Sequence, residues 1–183
     1  MKKIAIAITM ALAAATSFAD SASIEYQNVN GVKGAADSQI ISTSIRRTFT
    51  DSVTGDFLLS TAQAENTNAV TSRFEVGATV TAPVSGNVKG YVRAALGERV
   101  VAANNFTYYS VEPGITMPVG ILTAKVGYRY RSAVDSVNGD QTHTLRAGVS
   151  YPFTKNDNIG VRFDRVRGDN TQNITVVNYT RNF

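Results

Sequence analysis

From Ser21 onward, apolar and polar residues alternate with a period of two, in short segments separated by clusters of Asn, Gly, Asp, Ser and Pro. That period marks extended strands with one apolar and one polar face. The clearest segment is Arg73 to Ala82. Phe74, Val76, Ala78, Val80 and Ala82 form one face, and Arg73, Glu75, Gly77, Thr79 and Thr81 the other. A turn over 83–87 leads to a second strand, with Val88, Gly90, Val92, Ala94 and Leu96 opposed to Lys89, Tyr91, Arg93 and Ala95. Segments 109–117, 122–131 and 144–151 repeat the pattern. Pro113 removes a ladder donor, which predicts an irregularity in its strand. Further segments at 22–27, 41–49, 159–164 and 175–183 complete the alternation, and 57–64 is strand-like, although Phe57-Leu58-Leu59 leaves its facing open. The sum is ten strands, with eight as the alternative because the first three segments alternate least regularly.

The first residues follow a different rule. Lys2 and Lys3 precede a nearly unbroken apolar run from Ile4 to Ala15, and Thr16-Ser17-Phe18-Ala19 offers small residues for cleavage after Ala19. This is the layout of an export signal over 1–19, leaving Asp20 to Phe183 as the folded domain. The apolar run is about a dozen residues, short of the roughly 20 that a spanning helix needs. Without Lys2 and Lys3 the formal charge falls from +4 to +2, so the overall balance makes no case for nucleic acid. With no cysteine, disulfides and thiolate metal sites are excluded. No later segment is apolar for 18 residues, so a membrane-spanning form has to be a closed barrel that pairs every backbone group. A soluble β-sandwich also alternates, but its core needs bulky side chains, whereas the apolar face here is rich in Ala and Val.

The chain ends on Phe183, with Tyr179, Val177 and Thr175 at alternate positions before it. Together with the export signal and the alternation throughout, this resembles the terminal-strand signature of bacterial outer-membrane β-barrel proteins. Arg181 departs from it, since that position is usually apolar. The resemblance covers the whole domain and implies an antiparallel transmembrane β-barrel in the cell outer membrane. It also implies that Tyr179 and Phe183 are an assembly signal read by the outer-membrane machinery, and that the termini are periplasmic. Periplasmic turns are then expected near 50–55, 83–87, 118–120 and 152–157, and outer loops at 29–38, 65–71, 98–106, 132–141 and 168–173. Phe49, Tyr151 and Phe183 fit an inner aromatic girdle, Tyr109 and Tyr130 an outer one. Arg47 and Arg181 lie on lipid-facing parity near the inner rim and Arg165 near the outer rim. There such side chains reach water or charged lipid, lipopolysaccharide included.

The polar faces place Arg73, Lys89, Arg93, Lys125, Arg129, Arg131, Arg146 and Arg162 inward, against Glu25, Glu75, Glu112 and Asp164. Basic residues outnumber acidic ones about two to one. Two readings follow. In the first, a hydrated basic lumen passes small, anionic solutes by passive diffusion, as a porin does. In principle this is similar to the oligogalacturonate-specific porins, whose lumen arginines meet acidic sugars, although those chains are longer and share no motif with this one. In the second, Arg and Glu fill a closed interior and hold the barrel together, since barrels of about eight strands are just filled by side chains. Arg93, Arg129, Arg146 and Arg162 are the expected selectivity residues, and the inward glycines are expected to leave room for long side chains or water. No catalytic residue, cofactor or metal site is read from the sequence. The single His143 falls on lipid-facing parity without a serine nearby, and no acidic spacing suits a cation.

Overall fold

In a computed structural model of the chain, the described residues are 19–32, 37–64, 70–101, 104–135 and 140–183. Apart from Ala19, the expected export signal lies outside them, as does most of the expected loop 65–71. Ten strands follow one another: β1 Ser21–Gly31, β2 Ser38–Thr50, β3 Val53–Ala64, β4 Val70–Ser85, β5 Val88–Val101, β6 Asn104–Val119, β7 Leu122–Ala133, β8 Thr142–Pro152, β9 Asp157–Gly168 and β10 Gln172–Asn182. Each pairs antiparallel with its sequence neighbour, and β1 pairs with β10, so the sheet closes. At 11 to 16 residues, every strand exceeds the roughly 9–11 that a tilted strand needs to cross a bilayer.

One end carries the short connections and both termini. There the turns are residues 51–52, 86–87, 120–121 and 153–156, and Gly86 and Gly120 supply the positive φ that two-residue hairpins need. The opposite, loop end carries the longer connections, with two exceptions: three residues join β9 to β10, and two join β5 to β6. The expected loop over 98–106 is mostly strand, because β5 runs to Val101 and β6 starts at Asn104. Arg99 to Val101 and Phe106 to Tyr108 keep the alternation, and no breaker residue interrupts them. At the turn end the Phe183 amide donates to the Asp20 carbonyl at 2.9 Å, which extends the closing seam to the last residue. The Asp20 carboxylate accepts the Thr48 amide, which holds its pKa below the ordinary value.

The faces follow the alternation. Val76, Leu96, Leu145 and Phe163 are 55–63% exposed on the outside, while the buried set is led by polar residues: Ser42, Glu75, Glu112, Thr142, Thr144 and Asp164. This is the reverse of a water-soluble core, and a closed apolar belt of this extent faces lipid. The open question at β3 is resolved by its register. Asp56, Leu58, Ser60 and Ala62 line the interior, so Phe57 and Leu59 face out. Pro113 acts as expected. It stays opposite Val92 on β5, but the β6–β7 ladder is interrupted over Glu112 and Pro113 and resumes at Gly114. Arg129 on β7 falls in that gap, opposite Glu112 by register.

A candidate channel lumen

The interior holds a cavity of about 580 Å³ lined by residues from both ends, from Ser21, Arg46 and Asn182 to Arg99, Arg131 and Gln172. Its wall is two-sided. β1, β2, β3 and β10 contribute mostly short polar groups such as Ser23, Ser42, Ser44, Ser60 and Asn178, with Glu25, Arg46 and Asp56 among them, and β4 to β9 contribute most of the charges.

Two tyrosines shape the charged side. Tyr91 lies directly opposite Gly114, which lies opposite Gly127, and a Cβ at either glycine would overlap the Tyr91 ring or hydroxyl. Tyr108 covers Gly97 in the same way. The glycines therefore do not leave open space. They seat Tyr91, Tyr108 and the Arg93 guanidinium, which covers Gly77. Each hydroxyl then donates to a buried carboxylate: Tyr91 to Glu112 and Tyr108 to Glu75, both at 2.9 Å.

Most lumen charges are already matched. Arg93 bonds Asp56 and lies 2.6 Å from Glu75. Arg146 reaches Glu112 at 2.7 Å and Asp164 at 3.4 Å. Arg162 reaches Asp164 at 2.9 Å and Glu25, two strands away, at 3.3 Å. Arg131 pairs with Asp140 at 2.7 Å, and Arg99 approaches the same carboxylate at 3.6 Å. Three of the four arginines expected to set selectivity, Arg93, Arg146 and Arg162, are thus held in ion pairs. Lys89 is exposed at the turn-end rim, outside the cavity lining.

Arg129, Arg73, Lys125 and, at the turn-end mouth, Arg46 remain. Among the described residues none has a carboxylate within ion-pair distance, and all four line the cavity. Lys125 stands over the Tyr91 ring, 4.1 Å from its centroid. The Arg129 Nε is buried with no hydrogen-bond partner. Glu112 is across from it in register but is held by Tyr91 and Arg146. Asp56 and Asp140 are lumen acids that the sequence reading missed. With them the lumen holds nine cations (Arg46 and Arg99 included) and six carboxylates, a smaller excess than two to one.

The Glu112 contacts carry a stability prediction. Removing one partner of a dry buried pair costs about 3–5 kcal/mol, and lumen water that rehydrates Arg146 reduces this to about 2–3 kcal/mol. Glu112→Gln is expected to lower the urea unfolding midpoint in vesicles accordingly, while Tyr91→Phe costs about 1 kcal/mol. Equal midpoints for E112Q and the parent would show the pair to be dispensable.

No protein-family model matches the chain, and no curated protein sequence does. Solved structures do. The KdgM porin in complex with disordered oligogalacturonate superposes with a TM-score of 0.50 at 13% identity, over 88% of this chain and 99% of that one. An outer membrane channel from Pseudomonas putida F1 gives 0.57 at 12% identity, over 89% and 94%. The beta domain of the Bordetella autotransporter BrkA gives 0.57 at 10% identity, over 89% and 98%. The ten-stranded closed antiparallel barrel of this chain therefore has the fold of bacterial outer-membrane β-barrels, porins and autotransporter domains among them.

Proposed function

We propose that residues 20–183, after removal of an export signal at 1–19, form a porin-like barrel of the bacterial outer membrane. It passes small anionic solutes by passive diffusion and performs no chemistry on them. The observation that carries this reading is the charge ledger. The six lumen carboxylates are held by arginines or tyrosine hydroxyls, which leaves Arg73, Lys125 and Arg129, with Arg46 at the turn-end mouth, to meet a mobile anion. The facing wall of serine hydroxyls and asparagine amides supplies donors and acceptors of the kind that bind hydroxyl groups. A small hydroxylated acid fits both walls. The likeness to the porin solved with oligogalacturonate agrees with that class of solute. In this reading the loop end faces outward, the turn end is periplasmic, Tyr179 and Phe183 serve barrel assembly, and lipopolysaccharide surrounds the outer rim.

Single-channel recording of the refolded domain under a salt gradient tests it. A steady conductance with anion preference is expected. The preference should weaken as salt rises, because the screening length shrinks from about 10 Å at 0.1 M to about 3 Å at 1 M. Among single Arg→Ser variants, R129S is expected to lose most of the preference and R93S little of it. A folded, silent barrel would overturn the channel reading in favour of an interior that only holds the wall together.

A further inference from the structure

The two rims of the lipid-facing surface treat their cations differently. At the turn end Arg181 has its own counter-charge. It lies 3.6 Å from Asp157, which also accepts the Tyr179 hydroxyl at 2.7 Å. At the loop end, Arg165 and Arg167 are both exposed on the outside of β9. Among the described residues neither has a carboxylate within ion-pair distance. Arg167 stands directly opposite His143 on β8, and Arg165 opposite Leu145. Asp164, next to Arg165, points into the lumen and is held by Arg146 and Arg162, and Asp169 uses its carboxylate on the Gln141 amide at 2.7 Å. Among the described residues, Glu98 on the outer face of β5 is three strands and roughly 14 Å from β8, and Asp135, beyond the end of β7, has a partner of its own.

The surroundings are ordered. The His143 Nδ1 shares a 2.6 Å hydrogen bond with the Tyr128 hydroxyl, and its ring packs on Tyr130 with centroids 5.2 Å apart. Leu145 and Phe163, next toward mid-membrane, are 55% and 62% exposed. Arg165 sits three residues, roughly 10 Å along the strand, inside the end of β9. A guanidinium pair there is at head-group depth, above a surface that accepts acyl chains. Unmatched charges at that depth are costly unless the bilayer supplies the counter-ion.

We propose that Arg165 and Arg167, flanked by the Tyr128–His143 pair, form a binding site for a phosphorylated lipid of the outer leaflet. Its phosphate bridges the two guanidiniums, and its acyl chains lie along Leu145 and Phe163. Arg suits this role because its planar fork meets phosphate oxygens in pairs. The site rests on the reading that the loop end faces outward, and it is independent of conduction because both arginines point away from the lumen.

The test is retention of lipid A through detergent exchange, measured by native mass spectrometry on the folded barrel, for parent, R165Q/R167Q, R165K/R167K and R181Q. The parent and R181Q are expected to retain lipid A. R165Q/R167Q should lose most of it, and R165K/R167K should keep part. Dephosphorylated lipid A should not be retained, and inorganic phosphate should not displace the lipid. Equal retention by R165Q/R167Q, or equal retention of the dephosphorylated lipid, overturns the site. Displacement by inorganic phosphate would reduce it to a free-anion site. Conductance of R165Q/R167Q is expected to match the parent, which separates this result from the channel reading, and surface labelling at 169–171 in intact cells reports orientation on its own.

Discussion

Replacing Arg129 with Glu is expected to abolish most of the anion preference of the lumen. Arg129 is the centre of the unmatched charge. Its cross-strand acid is held elsewhere, its Nε has no hydrogen-bond partner, and its charged neighbours are Arg73, Arg131, Arg146 and a Glu75 already held by Arg93 and Tyr108. Of its charged neighbours, Arg131 and Arg146 already have carboxylates. A glutamate at 129 would be drawn to Arg73 and would offset the bare cationic stretch, while its repulsion from Glu112 and Glu75 costs some stability. The change of two charge units falls at a single point on the path. Arg93→Glu changes the same formal charge but also strands Asp56 and Glu75, so it is expected to destabilise the barrel more than it shifts selectivity. Reversal potentials under a salt gradient, beside unfolding midpoints, separate the two. An R129E barrel that folds and keeps its anion preference would remove Arg129 from the path.

The second large effect concerns width. Tyr91 and Tyr108 are 5% and 1% exposed, each laid along the wall over glycines of neighbouring strands. Truncating both to Ala is expected to raise single-channel conductance, because Lys125 and Arg131, which line the cavity and stand over these rings, can then settle back against the wall. Glu75 and Glu112 each lose one hydrogen bond, about 1 kcal/mol apiece, but keep Arg93 and Arg146. The Tyr→Phe pair at the same positions keeps the rings and is expected to conduct like the parent. Conductance of Y91A/Y108A equal to the parent would place the constriction elsewhere, at the loop end where Arg99, Arg131 and Asp140 converge.

The sequence was most informative where the alternation was strict. The period of two across 73–82 and 88–96 assigned lumen and lipid faces residue by residue, because a half-buried strand has no other way to satisfy both environments. It was weakest where apolar residues ran together. Phe57-Leu58-Leu59 hid the start of β3 and with it Asp56. Asp140 was hidden for another reason: an Asn-Gly-Asp run reads as a turn, and nothing local shows that the last of these residues pairs inward. Ion pairing was not legible at all. Arg162 and Glu25 are 137 residues apart and meet only because β10 lies between β9 and β1 in the closed sheet. The tyrosine seats did leave a signal. The turn at 120–121 sets Gly114 opposite Gly127, two missing side chains side by side that ask for a large ring, but Tyr91 joins their row only through the β5–β6 register, whose connection the alternation alone did not place.

The seam between β1 and β10, where Ser21 pairs with Asn182, has a consequence for the order of events. The first strand of the domain waits for the last one, so the slowest step in forming this fold is the closing of a loop as long as the domain itself. Until then both seam strands expose unpaired amides and carbonyls, which lipid does not tolerate and which other chains readily capture. A chain of this topology cannot complete its fold piecemeal as it emerges.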